Sequence, residues 1–296
     1  EGVCFSRFNT DKDCLAATIL YKSGNINLKW PGNSLRPEQV TAIVFRRPKP
    51  LQVHKGRDVF SKKHTVGEWS EAIEGFLAHI DIKLWINHPA RNCVASHKIE
   101  QLSRSARYGL NTPKTLVTND ICEAEKFVFS AKKSIIVKPL ASGFIERDRP
   151  DQDTIIYTRQ LKESDYQFLK EIEKCPVLFQ EMIPKVIDVR MTMLDGIIIA
   201  IGLKATEKNG NQRLDIRRNN MCDVDYVPLE MPEDVAKAAR SLIKSYGLRF
   251  AALDFGITES GEWFFFEINP NGQWAWLDLY GKTDIASMFV ERLKGG

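Results

Sequence analysis

Residues 264–281 read FFFEINPNGQWAWLDLYG, and Glu267 and Asn269 lie two positions apart in that run. On a strand this spacing puts both side chains on one face, because successive side chains alternate. A carboxylate and an amide oxygen sharing a face at the end of an apolar run suit a hard divalent cation. A strand end that turns through Pro270 and Gly272 would carry the same polar residues with no metal. Upstream, RFAALDFGIT (249–258) is another apolar run, joined to GEWFFFEINP (261–270) by a short turn. Antiparallel pairing of these runs brings Asp254 beside Glu267 and Asn269. Oxygen-bearing side chains without His or Cys nearby fit Mg2+ better than a transition metal.

Lysines carry the next signal. Lys138 stands in SIIVKPLASGF (134–144), a strand that reads apolar on both sides. A buried ammonium is costly unless it meets an anion, and phosphate is the obvious partner. A lysine that caps a sheet edge with its head in water gives the same pattern. Lys98 opens a helix in ASHKIEQLSRSARYGLNTPKTLVTND (95–120), where Ile99, Leu102, Ala106 and Leu110 form an apolar stripe. Ser96 is the expected N-cap there and Gly109 the stop.

The elements that must position these residues fall into two styles. Short apolar strands at 42–45 and within 82–90 flank a helix over 68–80 with Trp69, Ile73, Phe76, Leu77 and Ile80 at helical spacing. Strands at 134–144 and 154–158 enclose a polar loop, 143–153, which reads as a mobile tip able to close as a lid. VLFQEMI (177–183) is a strand that ends before a proline. VIDVRMTMLD and GIIIAIGL pair as a hairpin around Asp195-Gly196. A helix over 232–248 follows, with Val235, Ala238, Ala239, Leu242 and Ile243 on one face. QRLDIRRNN (212–220) alternates Arg213, Asp215 and Arg217 against Leu214 and Ile216, which is strand patterning. The fold class is therefore α/β followed by a largely antiparallel α+β half.

Bulk composition narrows the classes. The chain has 296 residues, 43% hydrophobic and 27% charged, with a formal net charge of +4, as a globular protein with an ample core has. Such a small excess gives no argument for nucleic acid, and Arg46, Arg47 and Lys49 at one loop read as a solvated end. No apolar run is long enough to span a membrane. Cys4, Cys14, Cys93, Cys122, Cys175 and Cys222 are scattered, as free thiols in a reducing cytoplasm are. The five histidines show no metal spacing. "GKT" at 281–283 lacks the glycine a phosphate-binding P-loop needs, since Trp276 stands in its place. Trp274 and Trp276 are either core aromatics or walls of a substrate cleft.

The order of these motifs resembles the ATP-grasp superfamily of carboxylate–amine ligases from about residue 95 onward. The resemblance implies ATP and two Mg2+ ions as cofactors. Lys98 and Lys138 look like the nucleotide-phosphate lysines, Gln180, Glu181, Met182 and Ile183 like the adenine-reading hinge, and Asp188 like the ribose acceptor. Asp254, Glu267 and Asn269 look like the magnesium ligands. The strand that matches 212–220 crosses the phosphate end of such sites. That makes Arg190 and Arg217, with Asp215 between the arginines of that row, the candidates for holding the phosphoryl group; a solvated edge strand would read alike.

A narrower likeness covers nearly the whole chain. VFRRP (44–48), LWINHPARNCVASHKIEQL…GLNTPKTLVTND (84–120) and EINPNGQWAWLD (267–278) are similar to the graspetide, or microviridin-type, peptide-modifying ATP-grasp ligases. Cys93-Val94 and Ser96-His97 stand where that family usually has more polar residues. The likeness implies an N-terminal α/β domain (1–94), a central subdomain (95–179) and a C-terminal subdomain (180–296), with ATP between the last two. It implies an ADP-forming ligase joining Asp or Glu carboxylates to Thr, Ser or Lys side chains of a ribosomal precursor peptide with a leader and an acidic core. A homodimer, with no nucleic-acid or membrane partner, completes the expectation.

Overall fold

A computed structural model describes residues 4–54, 58–141, 143–145, 154–207, 210–218, 223–281 and 283–294. The expected lid over 143–153 lies largely outside these residues, as does Cys222. The chain divides into two compact units, 1–90 with 286–296, and 91–285.

In the first unit, β1 (Thr18–Lys22), β2 (Asn25–Trp30) and β3 (Asn33–Leu35) form an antiparallel sheet. A parallel pair, β4 (Ile43–Val44) and β5 (Trp85–Ile86), is linked through α1 (Val59–Leu77). Asp58 caps α1 by accepting a hydrogen bond from the Ser61 amide at 2.8 Å. The helical spacing seen in the sequence does bury Ile73, Phe76 and Ile80, and Phe76 and Ile80 pack with Leu28, Trp30 and Trp85.

The second unit begins within α2 (Pro89–Ala95), which α3 (Lys98–Arg107) follows. Ser96 does not cap α3: His97 holds that position, and the Ser96 hydroxyl donates to the Asn92 carbonyl at 2.7 Å. The expected stripe is also displaced, for Ile99 is 59% exposed while Gln101 and Ser105 are buried. β6 (Thr115–Thr118), α4 (Ile121–Ser130), β7 (Ile135–Lys138), the β8–β9 pair (Phe144–Ile145 with Thr154–Ile155), β10 (Arg159–Gln160), a 3-10 helix (Glu163–Lys174) and β11 (Val177–Glu181) follow. The strands form a sheet in the order β10-β7-β11-β6, and Ala124, Val128, Leu169 and Ile172 pack against Ile135 and Phe179 of its face.

The remaining sheet runs β14-β13-β12-β15-β16. Its strands are β12 (Lys185–Leu194), β13 (Ile197–Lys204), β14 (Asp225–Pro228), β15 (Phe250–Thr258) and β16 (Trp263–Asn269). The β12–β13 hairpin turns at Asp195 (φ +48°) and Gly196 (φ +87°), the left-handed pair that a two-residue turn matched to strand twist requires. α5 (Glu233–Ser245) lays Ala239, Leu242 and Ile243 on one side of the sheet, against Val189, Met191, Leu253, Phe255 and Phe265. α6 (Ala275–Tyr280) and α7 (Ile285–Lys294) end the chain.

Alternation then dictates what faces the other way. Arg190 of β12, Asp254 of β15 and Glu267 of β16 stand opposite one another in register, and Asp188 lies two residues from Arg190, so all four share the face that α5 leaves open. The sheet is dry on one side and charged on the other.

Candidate active site

Asp254 and Glu267 are direct cross-strand partners, and Asn269 lies two residues on, opposite Ala252. A register shift follows Asp254, so that Phe255 pairs with Phe265 and Phe266 is the extra residue of a bulge. Bulges re-aim side chains at sheet edges, and this one sits at the carboxylate pair. The Phe266 ring lies 5.1 Å from the Lys138 ammonium and 5.7 Å from that of Lys185. A Cβ on Gly256 would come within 2.7 Å of that ring, so glycine there makes room for it.

Arg190 crosses to Asp254, with Nη1 2.9 and 3.0 Å from its carboxylate oxygens. Burial raises the Asp254 carboxyl to about 6; Arg190 opposes the shift, and the Glu267 and Asp188 carboxylates add to it. Crowded negative charge of this kind is what a cation relieves. Among the described residues no three His, Cys, Asp or Glu side chains gather as a metal site. The candidate donors, the carboxylates of Asp254 and Glu267 and the Asn269 amide oxygen, are all hard oxygens, a chemistry that fits Mg2+. Asn269 Oδ1 also accepts from the Asn271 amide at 3.2 Å, which fixes the turn beyond the strand.

Lys138 ends β7 with its ammonium donating to Gln180 Oε1 at 2.9 Å, and Gln180 Nε2 donates to Thr115 Oγ1 at 2.8 Å. Burial lowers the Lys138 pKa to about 8; Glu267 opposes that, while Lys185 and Lys98 reinforce it. Lys98 donates to the Pro139 carbonyl at 2.6 Å, and burial lowers its pKa as well, against the pull of Glu267. These lysines share one electrostatic field with Glu267.

The residues expected as the adenine hinge straddle the end of β11. Glu181 donates its amide to the Lys114 carbonyl at 2.9 Å, Met182 to that of Ser134 at 2.7 Å, and Ile183 is buried. Asp188 accepts from Lys185 at 2.5 Å and from Gln212 at 2.9 Å. The sequence reading missed Lys185 and Gln212; the spacing of Lys185 three residues before Asp188 was the available signal.

Residues 213–218 are not the strand the alternation suggested but a turn that follows an isolated bridge between Thr206 and Gln212. The Arg213 amide donates to the Ala205 carbonyl at 2.8 Å, Lys185 to the Leu214 carbonyl at 3.1 Å, and the Thr158 amide to the Asp215 carboxylate at 3.2 Å. The Asp215 carboxylate folds back to accept from the Arg217 amide at 3.1 Å and from its guanidinium at 2.9 and 2.6 Å. Such local bonding competes with a ladder. Burial raises the Asp215 carboxyl, but its bonds to Arg217 outweigh that and leave it below the usual range. The Arg217 pKa is raised by Asp215, with Glu267 and Asp254 contributing. Arg213, by contrast, is buried. Trp276 belongs to the charged side, its ring 5.8 Å from the Arg190 guanidinium.

Lys138 gives a prediction here. Nucleotide affinity should fall as pH rises through about 8, by up to about tenfold per unit above it, because the uncomplexed ammonium loses its proton there. Lys138→Arg should flatten the profile, and Lys138→Ala should weaken ATP more than peptide. Calorimetry from pH 7 to 9.5 checks this, and equal losses for both ligands would make the lysine a folding residue.

Residues 100–260 match the family model described as the prokaryotic glutathione synthetase ATP-grasp domain. Among solved structures, the macrocyclase MdnC from Microcystis aeruginosa MRC, bound with precursor peptide MdnA, is 25% identical, with TM-score 0.84 over 98% of this chain and 90% of that one. A RiPP-associated ATP-grasp ligase from Chryseobacterium gregarium, in complex with ADP and a leader and core peptide, is 24% identical, with TM-score 0.78 over 94% and 84%. Macrocyclase MdnB from Microcystis aeruginosa MRC is 23% identical, with TM-score 0.79 over 100% and 92%. Curated proteins give no match. No helix among the described residues is long and apolar enough to cross a membrane.

Proposed function

Because the chain belongs to the prokaryotic glutathione synthetase ATP-grasp family, we propose that it is an ADP-forming ligase that crosslinks side chains of a ribosomal precursor peptide. An Asp or Glu carboxylate of the peptide's acidic core attacks the γ-phosphorus of ATP, breaking the bond to ADP and leaving an acyl phosphate. A Thr or Ser hydroxyl, or a Lys amine, then attacks the acyl carbon. It loses its proton and expels phosphate, and an ω-ester or ω-amide bond remains.

Lys98 and Lys138 take the nucleotide phosphates, Gln180, Glu181, Met182 and Ile183 the adenine, and Asp188 the ribose, exchanging one of its present partners. Asp254, Glu267 and Asn269 would hold two Mg2+ ions, which would supply charge compensation for the phosphoryl group. Arg190 and Arg217, the latter steered by Asp215, hold the phosphoryl and acyl-phosphate oxygens. The protein supplies placement and charge compensation, with no covalent intermediate on its own side chains. The leader engages the same chain, which acts as a homodimer in the cytoplasm, without nucleic acid or membrane.

The observation that carries this reading is the likeness to a peptide-bound macrocyclase across nearly the whole length of both chains. The family model's description favours a second reading, addition of a free amino acid to a carboxylate. ADP release separates them. An acidic precursor peptide alone should stimulate it, whereas dependence on an added amino acid would favour the second reading.

A further inference from the structure

We infer that Gln101 is a positioning residue for the metal-bearing strand, acting through the backbone of Ile268; the inference rests on the metal reading of Glu267 and Asn269. Among the described residues β16 is the outermost strand of its sheet. An outermost strand leaves one row of N–H and C=O groups without a ladder partner. At Ile268 that row is completed by a side chain 167 residues away. The Ile268 amide donates to Gln101 Oε1 at 3.1 Å, and Gln101 Nε2 donates to the Ile268 carbonyl at 2.9 Å. The same Nε2 donates to the Ala95 carbonyl at 2.7 Å, at the end of α2. The carboxamide therefore works as one extra peptide unit beside the strand, held from behind by α2.

Its place gives it leverage. Ile268 lies between Glu267 and Asn269, and its own side chain is buried in the core on the opposite face. Fixing both backbone groups of Ile268 fixes the two candidate ligands on either side. Gln101 is also one helical turn from Lys98, so α3 ties a phosphate lysine to the metal ligands through a single rigid element. Gln101 is 3% exposed, and glutamine in such a place would be costly without these partners. Groups that orient metal ligands commonly contribute about 10- to 100-fold to metal affinity.

The test is Mn2+, as a stand-in for Mg2+, titrated into ADP-saturated protein and followed by its paramagnetic resonance signal, with no turnover. Gln101→Met keeps the volume and removes all the bonds. It should weaken Mn2+ about tenfold or more, while metal-free ADP affinity stays within about threefold. Arg104→Ala is the control, because Arg104 pairs with Glu100 of its own helix and ties that helix to the Ser245 carbonyl, and among the described residues none of its hydrogen bonds or ion pairs reaches β16. It should lower thermal stability and leave Mn2+ affinity alone. Equal weakening by both variants, or none by Gln101→Met, overturns the inference. Glu267→Gln separates the two levels. If it weakens Mn2+ while Gln101→Met does not, only the positioning role fails; if neither weakens it, the metal reading fails as well. Should Gln101→Met not fold, Gln101→Glu keeps the acceptor for the Ile268 amide and should shift Mn2+ affinity in the same direction by less, an unchanged value counting against the inference.

Discussion

Glu267→Gln should abolish turnover and leave the protein folded. Glu267 stands on the charged face, directly opposite Asp254, while the core that holds the sheet lies on the other face. The substitution keeps the shape but turns one acceptor oxygen into an NH2 donor and removes one of the negative charges a cation needs. Since a bound cation contributes several kcal/mol to a phosphoryl-transfer transition state, the expected loss is about a hundredfold or more. Asn269→Ala should be nearly as damaging, and Asn269→Asp, which retains an oxygen donor, much less so. Peptide-dependent ADP release at saturating Mg2+, with thermal unfolding measured alongside, is the check. Near-wild-type release by Glu267→Gln would remove it from the ligand set.

Arg217→Ala should bind ATP and peptide almost normally yet lose about a hundredfold or more in rate, the size expected for one charge-stabilising donor. Its side chain is 63% exposed and held in a fork by Asp215, so it contributes little to stability but is aimed. Arg217→Lys should recover only part of the rate, because an ammonium replaces a planar fork by a point charge. Asp215→Asn should fall between them, losing the aim and keeping the guanidinium. Single-turnover crosslinking with nucleotide affinity measured in parallel decides the matter. A rate within about threefold of wild type for the alanine variant would return Arg217 to a solvated turn.

Much of this was legible from residue order. The β15–β16 pair could be read because two apolar runs are separated by a turn too short for anything but a hairpin, and the β12–β13 hairpin because Asp195-Gly196 can take left-handed backbone. The bulge at Phe266 could not, since three consecutive phenylalanines give no sign of which one is extra. The turn at 213–218 mimicked a strand, because alternation of charged and apolar residues does not reveal that Asp215 bonds its own neighbour Arg217. Helix α3 misled more deeply. Its apolar residues suggested the buried face, whereas the buried face is set by Gln101, whose partner is distant strand backbone. Strands β1–β3 carried weak signals for a related reason: Leu20 and Tyr21 are exposed, so polarity does not mark their inner face.

The most direct measurement is the intact mass of an acidic precursor peptide after incubation with the protein, ATP and Mg2+. The account predicts loss of one water per bond formed, one ADP released for each, and tandem fragmentation that places every bond between an Asp or Glu and a Thr, Ser or Lys side chain. A peptide that gains the mass of an added amino acid, or that stays unchanged while ADP accumulates, would contradict it.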